Sequence, residues 1–404
     1  MTWRKAKIAD LCTLVTSGGT PLSSIPSYYS PKEIPWLKTG EVNYCRIYDT
    51  ESYISKEGLE KSSTKMIPAN SVIVAMYGQG DTAGRVAINK IPLTTNQACC
   101  NLIINSKVAD YEYVYYSLSI LYDYLIALKN GGAQPNLNAK KIKEIEIPIP
   151  SLEEQHKIAS ILASYDNLID NNQKQIKLLE EAAQRLYKEW FVDFRFPGHE
   201  TTPIINGLPE GWKDVTIADV CETVGGGTPS TSHDEYYENG TIRWVTPTDL
   251  TKNKSIILLD TEKKITQKGL SSSAAKMLPP NTILMTSRAS IGYFAVCEHE
   301  VCTNQGFISC IPKQEEMRYY LLFNLMNRVD EIKGKASGST FLEIAKRTFR
   351  DMKICVPNEK LLHCFSLLIS PIISKIRILE KGKTDLVNSR DRLLPKLMNG
   401  ELLI

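Results

Sequence analysis

The chain carries one pattern of residues twice, and the two copies lie about half the chain apart. The pattern consists of a Gly-Thr-Pro turn, a tryptophan and a Thr-Asn-Gln segment. The first copy is Gly19-Thr20-Pro21, Trp36 and Thr95-Asn96-Gln97, and the second is Gly227-Thr228-Pro229, Trp244 and Thr303-Asn304-Gln305. A duplication of this size predicts two related domains with pseudo-two-fold symmetry. Such a molecule either doubles one site or contacts a partner in two places.

The composition fits a globular protein of two to three domains, with 404 residues, 43% hydrophobic and 23% charged. The net charge of +3 permits a local basic surface for nucleic acid but does not require one. The ten cysteines form no C-x-x-C pair, and the five histidines do not lie near them at zinc-finger spacing, so we expect reduced thiols and no metal site. We expect a cytoplasmic protein, because no secretory signal and no apolar run near the roughly 18 residues of a membrane span are evident.

Each half divides into a β-rich part and a long helix. Short apolar runs predict strands at 71–76 and 282–285, and runs that end in proline predict edge strands at 145–150 and 352–357. Short helices are predicted at 111–129 and 315–333. Each β-rich part therefore reads as an α/β domain with long loops.

The segment from Leu152 to Phe191 contains no glycine or proline. Its apolar residues recur at steps of four and three, which predicts a helix with a heptad seam. The seam consists of Ile158, Leu162, Tyr165, Ile169, Asn172, Ile176, Leu179, Ala183, Leu186 and Trp190. Ser151, followed by two glutamates, is typical of a helix N-cap. Asn172 either fixes the register of the seam or is tolerated at its edge.

A weaker seam runs along the C-terminal segment. It consists of Phe365, Ile369, Ile372, Ile376, Leu379, Leu386, Leu393 and Leu397. Lys383 and Arg390 interrupt it, Gly382 weakens it, and Pro371 predicts a kink or a late start of the helix.

Two long helices with apolar seams are most economically buried against each other. We therefore predict an α+β protein with two pseudo-two-fold related α/β domains, joined and separated by two long antiparallel helices that form a coiled coil. The predicted order is a domain at 1–150, a central helix at 151–195, a domain at 196–357 that begins with a linker at 196–210, and a C-terminal helix at 358–404.

Motifs of common catalytic centres are missing from the sequence. There is no G-x-x-x-x-G-K-[ST] phosphate loop, no G-x-G-x-x-G after a strand, no G-x-S-x-G and no H-E-x-x-H. The Asn-Pro-Pro-aromatic tetrapeptide of amino-methyltransferases is also absent. These observations favour a binding module over an enzyme.

Three segments make the chain resemble the specificity subunit of type I restriction–modification systems over essentially its whole length. They are the closing run 390–402, the central run 186–197 and the helix start at 149–155. The second copy of the helix start, at 356–362, lacks the acidic pair and the glutamine, so the N-cap there departs from the pattern.

The resemblance implies two target recognition domains, each reading half of a bipartite, asymmetric DNA sequence, with the coiled coil setting the spacer. It implies a non-catalytic chain that binds double-stranded DNA, two modification subunits that methylate adenine and two restriction subunits that cleave. S-adenosylmethionine, ATP and Mg²⁺ are expected on these partners, and no cofactor on this chain. The alternatives are a coiled-coil assembly scaffold without sequence readout and a methyltransferase or nuclease fragment.

Residues that contact DNA are expected in loops with side chains able to reach base edges or phosphates. In the first domain the candidates are Lys38, Thr39, Tyr77, Gln79, Arg85, Gln134 and Lys140. In the second domain they are Thr246, Thr248, Arg288, Ser290, Ser339 and Arg347. Gln79 and Arg288 are the strongest candidates for base contacts.

Elements shared by both copies are expected to serve the scaffold instead. We expect Asn96-Gln97 and Asn304-Gln305 to form turns, and Trp36 and Trp244 to be core residues. For Trp190, Phe191, Leu393 and Leu394 there are two interpretations, packing of the helix ends and docking of a modification subunit.

Overall fold

The computed structural model describes residues 3–128, 137–338 and 341–402. Contacts divide the chain into two compact units. Unit 1 comprises Met1–Leu168 and Leu386–Ile404, and unit 2 comprises Ile169–Asp385. We refer to the predicted domains at 1–150 and 196–357 as domain 1 and domain 2.

Domain 1 consists of short strands and short helices, followed by one long helix. Its strands are β1 Arg4–Lys7, β2 Cys12–Ser17, β3 Ile34–Leu37, β4 Cys45–Ile47, β5 Tyr53–Ile54, β6 Val72–Ala75, β7 Val86–Asn89, β8 Thr94–Thr95, β9 Cys99–Ile104 and β10 Glu146–Ile149. Its helices are α1 Lys56–Glu60, α2 Tyr111–Ser119, α3 Tyr122–Ala127 and α4 Ala139–Lys143, and the long helix is α5 Leu152–Phe191.

Domain 2 has the same kind of architecture. Its strands are β11 Ile204–Ile205, β12 Leu208–Pro209, β13 Lys213–Thr216, β14 Cys221–Gly225, β15 Ile242–Val245, β16 Ile257–Leu258, β17 Lys264–Ile265, β18 Ile283–Thr286, β19 Phe294–Cys297, β20 Cys302–Thr303, β21 Phe307–Pro312 and β22 Lys353–Val356. Its helices are α6 Ile217–Val220, α7 Pro247–Lys252, α8 Gln267–Ser271, α9 Met317–Asn327, α10 Val329–Gly334 and α11 Lys346–Arg350, and the long helix is α12 Glu359–Met398.

The sheets of the two domains have the same strand order. A five-stranded sheet runs β2-β9-β6-β7-β4 in domain 1 and β14-β21-β18-β19-β16 in domain 2. A three-stranded sheet runs β5-β3-β8 and β17-β15-β20, and a pair β1-β10 and β13-β22 completes each domain. Because each sheet mixes parallel and antiparallel neighbours in the same places, the predicted duplication is confirmed at the level of topology.

The predicted strands are present, and their burial explains their composition. β6 and β18 lie in the middle of the five-stranded sheets and are buried at every residue, so both faces require apolar side chains. β10 and β22 each pair with a single strand, as expected for the edge strands predicted before proline. All ten cysteines are free thiols, and burial raises the pKa of Cys100 to about 12, which keeps that thiol protonated.

The short helices predicted at 111–129 and 315–333 are present, and each segment contains two helices separated by a break. Leu121 leaves the helical region between α2 and α3, which turns Leu125 into the core of unit 1. Arg328 does the same between α9 and α10, and Ile332 is buried there. Burial of one more apolar side chain outweighs the continuity of a short helix.

α5 covers Leu152–Phe191, ending four residues before the predicted end at 195, and it has the predicted seam. At its start the backbone N–H of Glu154 donates to the Ser151 hydroxyl at 3.3 Å, and the Glu154 carboxylate accepts from the Ser151 backbone N–H at 3.0 Å. This reciprocal pair satisfies two donors that a helix start leaves unpaired. Every residue of the predicted seam is buried or half-buried.

The two long helices pack in antiparallel order. In unit 1, Ile158 and Leu162 near the start of α5 share a core with Leu397 and Met398 at the end of α12. In unit 2, the later residues of α5 share a core with the first half of α12; they are Ile176, Ala183, Tyr187 and Trp190, against Phe365, Ile369, Ile373 and Ile376. The polar pair along these helices in unit 2 is Gln173 with Lys383 at 2.8 Å, beside Asn172.

α12 runs without a break through Pro371 and Gly382, so the predicted late start is wrong. The Asn358 side chain caps its first turn by accepting from the Leu361 backbone N–H at 2.9 Å. Pro371 is exposed, while its neighbours Ile369 and Ile373 are buried. Burial of these side chains outweighs the hydrogen bond that proline removes.

One stretch of α12 is more apolar than the sequence analysis expected. An 18-residue window reaches a mean hydropathy of 1.5, which meets a length-and-composition criterion for a membrane span. Phe365, Ile369, Ile373 and Ile376 from this helix lie in the core of unit 2, which explains its apolar composition.

Candidate nucleic-acid interface

The residues shared by both copies hold the scaffold together, as predicted. The indole N–H of Trp36 donates to the Gly19 carbonyl at 3.0 Å, and that of Trp244 donates to the Gly227 carbonyl at 3.1 Å. Both tryptophans are buried. In each copy the threonine of the Gly-Thr-Pro turn donates to the glutamine of the Thr-Asn-Gln segment. These side chains are occupied inside each domain.

Close approach of two backbones explains the glycines of this scaffold. A Cβ atom at Gly18 would lie 2.2 Å from the carbonyl oxygens of Thr95 and Asn96. We expect Gly18→Ala to lower the free energy of unfolding of unit 1 by about 1–3 kcal/mol through this overlap. Gly40→Ala is the matched control, because a Cβ there has no atom within 4 Å. Thermal unfolding of both variants tests this, and equal melting temperatures would contradict it.

The two domains differ in the loop that follows the central strand of the five-stranded sheet. In domain 1 this loop covers residues 76–85, and in domain 2 it covers the shorter segment 287–293. Both loops begin at the same place, because β6 and β18 have equivalent positions in the sheet order. A difference at one place on a common scaffold is what two different binding specificities require.

In domain 1 the loop is held by its own backbone and by Arg85. The Thr82 hydroxyl donates to the Gln79 carbonyl at 2.7 Å. The Arg85 guanidinium contacts Asp81 at 2.6 Å and Asn43 at 3.0 Å. The Gln79 side chain is exposed and takes no part in these bonds within the described chain. Gln79 therefore remains available to an adenine edge, whereas Arg85 is a loop-holding residue in this structure.

Tyr77 is half-buried against the core of unit 1. Burial raises the pKa of its hydroxyl, followed by the influence of Cys99, so the hydroxyl stays protonated. Because the ring of Tyr77 packs against the core of unit 1, only part of the side chain is available to a ligand.

In domain 2 the loop pairs with the segment that follows α10. The Ala289 backbone N–H donates to the Leu342 carbonyl at 2.9 Å, and that of Ile344 donates to the Ser287 carbonyl at 3.0 Å. Arg288 is exposed, with its Nε atom 3.7 Å from Glu343. At this distance the Arg288 guanidinium is held loosely and can reach a guanine edge or a phosphate. Ser290 is exposed as well.

Of four other residues predicted to contact DNA, two are exposed and two are buried or bonded within the scaffold. Lys38 is exposed and lies over the Trp36 ring at 5.5 Å, and Thr248 is exposed in α7. Thr39 is buried, which removes it from the surface. At the start of α7 the Thr246 hydroxyl and the Thr246 backbone N–H each donate to the Asp249 carboxylate at 2.7 Å, so Asp249 occupies the hydroxyl.

The remaining predicted contacts lie on short helices or outside the described residues. Lys140 is exposed in α4. Arg347 is exposed in α11, with Asp351 at 3.9 Å. Gln134 and Ser339 lie outside the described residues, and their contacts with DNA stay predictions.

Large side chains that are exposed or half-buried lie beside both loops, and the sequence did not predict them. In domain 1 the rings of Tyr44 and Tyr122 meet edge to face at 6.3 Å, and the Tyr122 hydroxyl donates to the Asp81 carbonyl of the loop at 2.9 Å. In domain 2, Phe341 and Leu342 are more than half exposed beside Arg288. Exposed apolar groups next to polar ones suit contact with thymine methyl groups and sugars. The sequence alone does not predict that these residues lie beside the loops, because a single aromatic residue forms no motif.

The four predicted docking residues lie on the long helices at different depths. Trp190 and Phe191 are buried in the core of unit 2, where Phe191 meets the rings of Phe365 at 4.8 Å and Tyr320 at 4.9 Å. Leu393 and Leu394 are half-buried against the core of unit 1. Burial favours the packing interpretation for the first pair, and docking stays a prediction. Leu168 and Leu178 of α5 are at least half exposed.

Among the described residues, no group of three His, Cys, Asp or Glu side chains is arranged to hold a metal ion.

Comparisons with known proteins agree on one family. Residues 1–181 and 209–382 match the family described as type I restriction modification DNA specificity domain. The type I restriction enzyme MjaIX specificity subunit of Methanocaldococcus jannaschii is 29% identical over 420 residues, which cover 100% of this chain and 94% of that protein. The EcoR124I/EcoR124II specificity subunit of Escherichia coli is 31% identical over 189 residues, 46% of each chain. A crystal structure of the type I restriction–modification S subunit from M. genitalium shares the fold, with a TM-score of 0.60 at 17% identity over 98% of this chain and 96% of that one.

Proposed function

Because the chain belongs to the type I restriction–modification DNA specificity family, we propose that domain 1 and domain 2 each read one half of a bipartite, asymmetric DNA target. A specificity subunit is the recognition component of its enzyme and not the catalytic one. The resemblance stated from the sequence therefore agrees with the family.

The proposal rests on one observation: the two domains share the same scaffold but differ in one loop. Gln79 lies in the loop of domain 1, and Arg288 lies in the loop of domain 2. A glutamine amide matches an adenine edge and a guanidinium matches a guanine edge. Two different side chains in equivalent loops support readout of two different half-sites.

In this proposal the long helices α5 and α12 set the length of the DNA spacer between the two half-sites. They also bind two modification subunits, which methylate adenine. Two restriction subunits complete the enzyme and cleave DNA. S-adenosylmethionine, ATP and Mg²⁺ belong to these partners, and the chain itself binds no cofactor. The complex works on double-stranded DNA in the cytoplasm.

The loops predict separable effects on the two half-sites. Arg288→Ala relaxes the sequence requirement in one half of the methylated motif by roughly 10- to 100-fold, because a bidentate base contact discriminates by about 1–3 kcal/mol. Gln79→Ala relaxes the other half and leaves the first half unchanged. The measurement is methylation sequencing of DNA from cells that produce each variant with the modification subunit.

Arg243→Ala is the control for Arg288→Ala, because Arg243 of domain 2 lies outside the loop and pairs with Asp260 at 2.8 Å. It should leave both half-sites unchanged. If Arg288→Ala changed both half-sites or neither, the assignment of this loop would be overturned. If no variant or wild-type chain directed methylation to a motif, the scaffold without sequence readout would be favoured.

A further inference from the structure

Unit 1 contains a buried group of charged and hydroxyl side chains where domain 1 packs on the long helices. We call it the ionic cluster, and it consists of Arg46 in β4, Glu112 and Tyr116 in α2, Asp166 in α5 and Arg390 in α12. The Arg46 guanidinium lies 2.5 Å from Glu112 and 2.8 Å from Asp166. The side chains of Arg46 and Asp166 are only 3% and 7% exposed.

Asp166 is the centre of the ionic cluster. Its Oδ2 atom accepts from Arg46 at 2.8 Å and from the Tyr116 hydroxyl at 2.5 Å. Its Oδ1 atom accepts from Arg390 at 2.6 Å. Domain 1, α5 and α12 therefore meet at one carboxylate whose two oxygens are both paired with a cation.

The duplication gives Arg46 a counterpart in unit 2. Arg46 pairs with Ile88 in β7, and Ile257 pairs with Val296 in β19. Ile88 and Val296 are equivalent, because they pair with the first residues of β6 and β18 and these strands hold the same place in the sheet. Arg46 therefore corresponds to Ile257.

The residues of α2 are matched to those of α9 through a shared tyrosine bond. Tyr113 in α2 and Tyr320 in α9 each donate to the carbonyl of a residue 35 positions later in the chain. Counted from these tyrosines, Glu112 and Tyr116 correspond to Tyr319 and Phe323.

The long helices are matched from their starts. Each contains 40 residues and follows the last strand of its domain after two residues. By this count Asp166 in α5 corresponds to Ile373 in α12, and Arg390 in α12 corresponds to Ala183 in α5.

No charge is left among the counterparts of the ionic cluster. They are Ile257, Tyr319, Phe323, Ile373 and Ala183, and all of them lie in the buried core of unit 2. Unit 2 has ion pairs between domain 2 and α12, in which Glu298 meets Arg377 and Lys381, but these cations are 25% and 55% exposed. One place in the duplicated fold is thus a buried ionic contact in unit 1 and an apolar core in unit 2.

We propose that Arg46, Asp166 and Arg390 are positioning residues. They allow domain 1 to pack on the α5 and α12 segments of unit 1, and they exclude from that place a domain with the interior of domain 2. Leaving a buried carboxylate or guanidinium without its partner destabilises the fold by more than the intact cluster stabilises it. With a domain that presents Ile257, Tyr319 and Phe323, Asp166 would keep Arg390 on Oδ1, but its Oδ2 atom would lose both the Arg46 guanidinium and the Tyr116 hydroxyl and would face apolar groups. The ionic cluster thereby assigns each recognition domain to its own place, and so fixes which half-site is read at which end of an asymmetric target, a consequence that rests on the proposed function.

The test exchanges domains and helix residues independently in the full chain, produced with the modification subunit. A chimera carries residues 212–356 in place of residues 3–149, and both the chimera and the wild-type chain are made with and without Asp166→Ile/Arg390→Ala. In the chimera the double substitution should raise the melting temperature by about 10 °C. In the wild-type chain the double substitution should lower the melting temperature by a similar amount, because Arg46 then loses its partner Asp166 on α5.

This reversal of sign distinguishes positioning from a general structural role. If the double substitution lowered stability in both chains, or changed neither, the proposal would be overturned. Methylation by the unmodified wild-type chain is followed separately. Its absence would defeat the proposed function, while the melting comparison would still decide this inference.

A second measurement decides the matter if neither chimera is soluble. All five residues of the ionic cluster are replaced by their counterparts from unit 2 in the otherwise wild-type chain. This variant should melt well above Arg46→Ile alone, which leaves Asp166 and Glu112 buried without that cation. A five-residue variant that melts no higher than Arg46→Ile contradicts the proposal.

Discussion

Replacing Arg46 by methionine lowers the free energy of unfolding of unit 1 by about 3–5 kcal/mol. Methionine keeps much of the apolar length of arginine, so the substitution removes the charge with little change in volume. The carboxylates of Glu112 and Asp166 then lose the guanidinium that lies 2.5 and 2.8 Å from them. Glu112 keeps Lys90 at 3.1 Å and Asp166 keeps Arg390 at 2.6 Å, so each buried carboxylate loses one of its two cations. Removing one partner from a buried ionic contact costs far more than losing a surface ion pair.

Arg4→Met is the control, because Arg4 belongs to the same unit and is exposed in β1. It should change the free energy of unfolding by less than about 0.5 kcal/mol. Chemical unfolding followed by tyrosine and tryptophan fluorescence measures both variants. A loss below 1 kcal/mol for Arg46→Met would mean that water or rearrangement compensates the two carboxylates, in contradiction to the contacts described above.

Phe191→Ala should destabilise unit 2 by about 3–5 kcal/mol. The Phe191 ring is buried and contacts the rings of Phe365, Tyr320 and Trp212 with centroid distances of 4.8, 4.9 and 5.9 Å. Truncation removes these contacts and leaves a cavity between the end of α5 and the start of α12. Aromatic pairs of this geometry contribute beyond the area that they bury.

Val192→Ala is the matched control, because Val192 is the next residue and is 40% exposed. It should have little effect on unfolding. The pair of variants also separates the two interpretations of the helix end. If Phe191→Ala left unfolding unchanged but weakened binding of the modification subunit, docking would be its role and packing would be excluded.

The long helices were the most predictable elements because their signal is local and repeated. The absence of glycine and proline, the N-cap at Ser151 and the heptad seam define α5 at both ends. In α12 the same periodicity predicts the helix, and Pro371 does not delay its start. Proline is tolerated there because it lies on the exposed side of a helix that is held by its buried face.

The breaks at Leu121 and Arg328 could not be predicted in the same way. No glycine or proline marks either break, which falls at Ile120-Leu121 in one segment and at Arg328 in the other. What decides the geometry is the position of Leu125 and Ile332 relative to the cores that they enter. That position depends on strands far away in the sequence.

The candidate interface was partly predictable for a related reason. Comparing the two copies separates shared scaffold residues such as Trp36 and Trp244 from divergent ones such as Gln79 and Arg288. Thr39 is buried, the Thr246 hydroxyl donates to Asp249 and Arg85 pairs with Asp81, and residue types alone do not show which of these arrangements the fold adopts. The ionic cluster was invisible for the same reason, because Arg46, Asp166 and Arg390 are far apart in the chain.

The central claim is that this chain reads a two-part DNA sequence, one part with each domain. It is tested most directly by single-molecule methylation sequencing of a genome in cells that carry this gene with its modification partner, against cells from which this gene alone is deleted. The account predicts a split, asymmetric motif with methyladenine in both halves that disappears on deletion. A methylation pattern that is unchanged by the deletion, in cells whose modification partner is active, would contradict it.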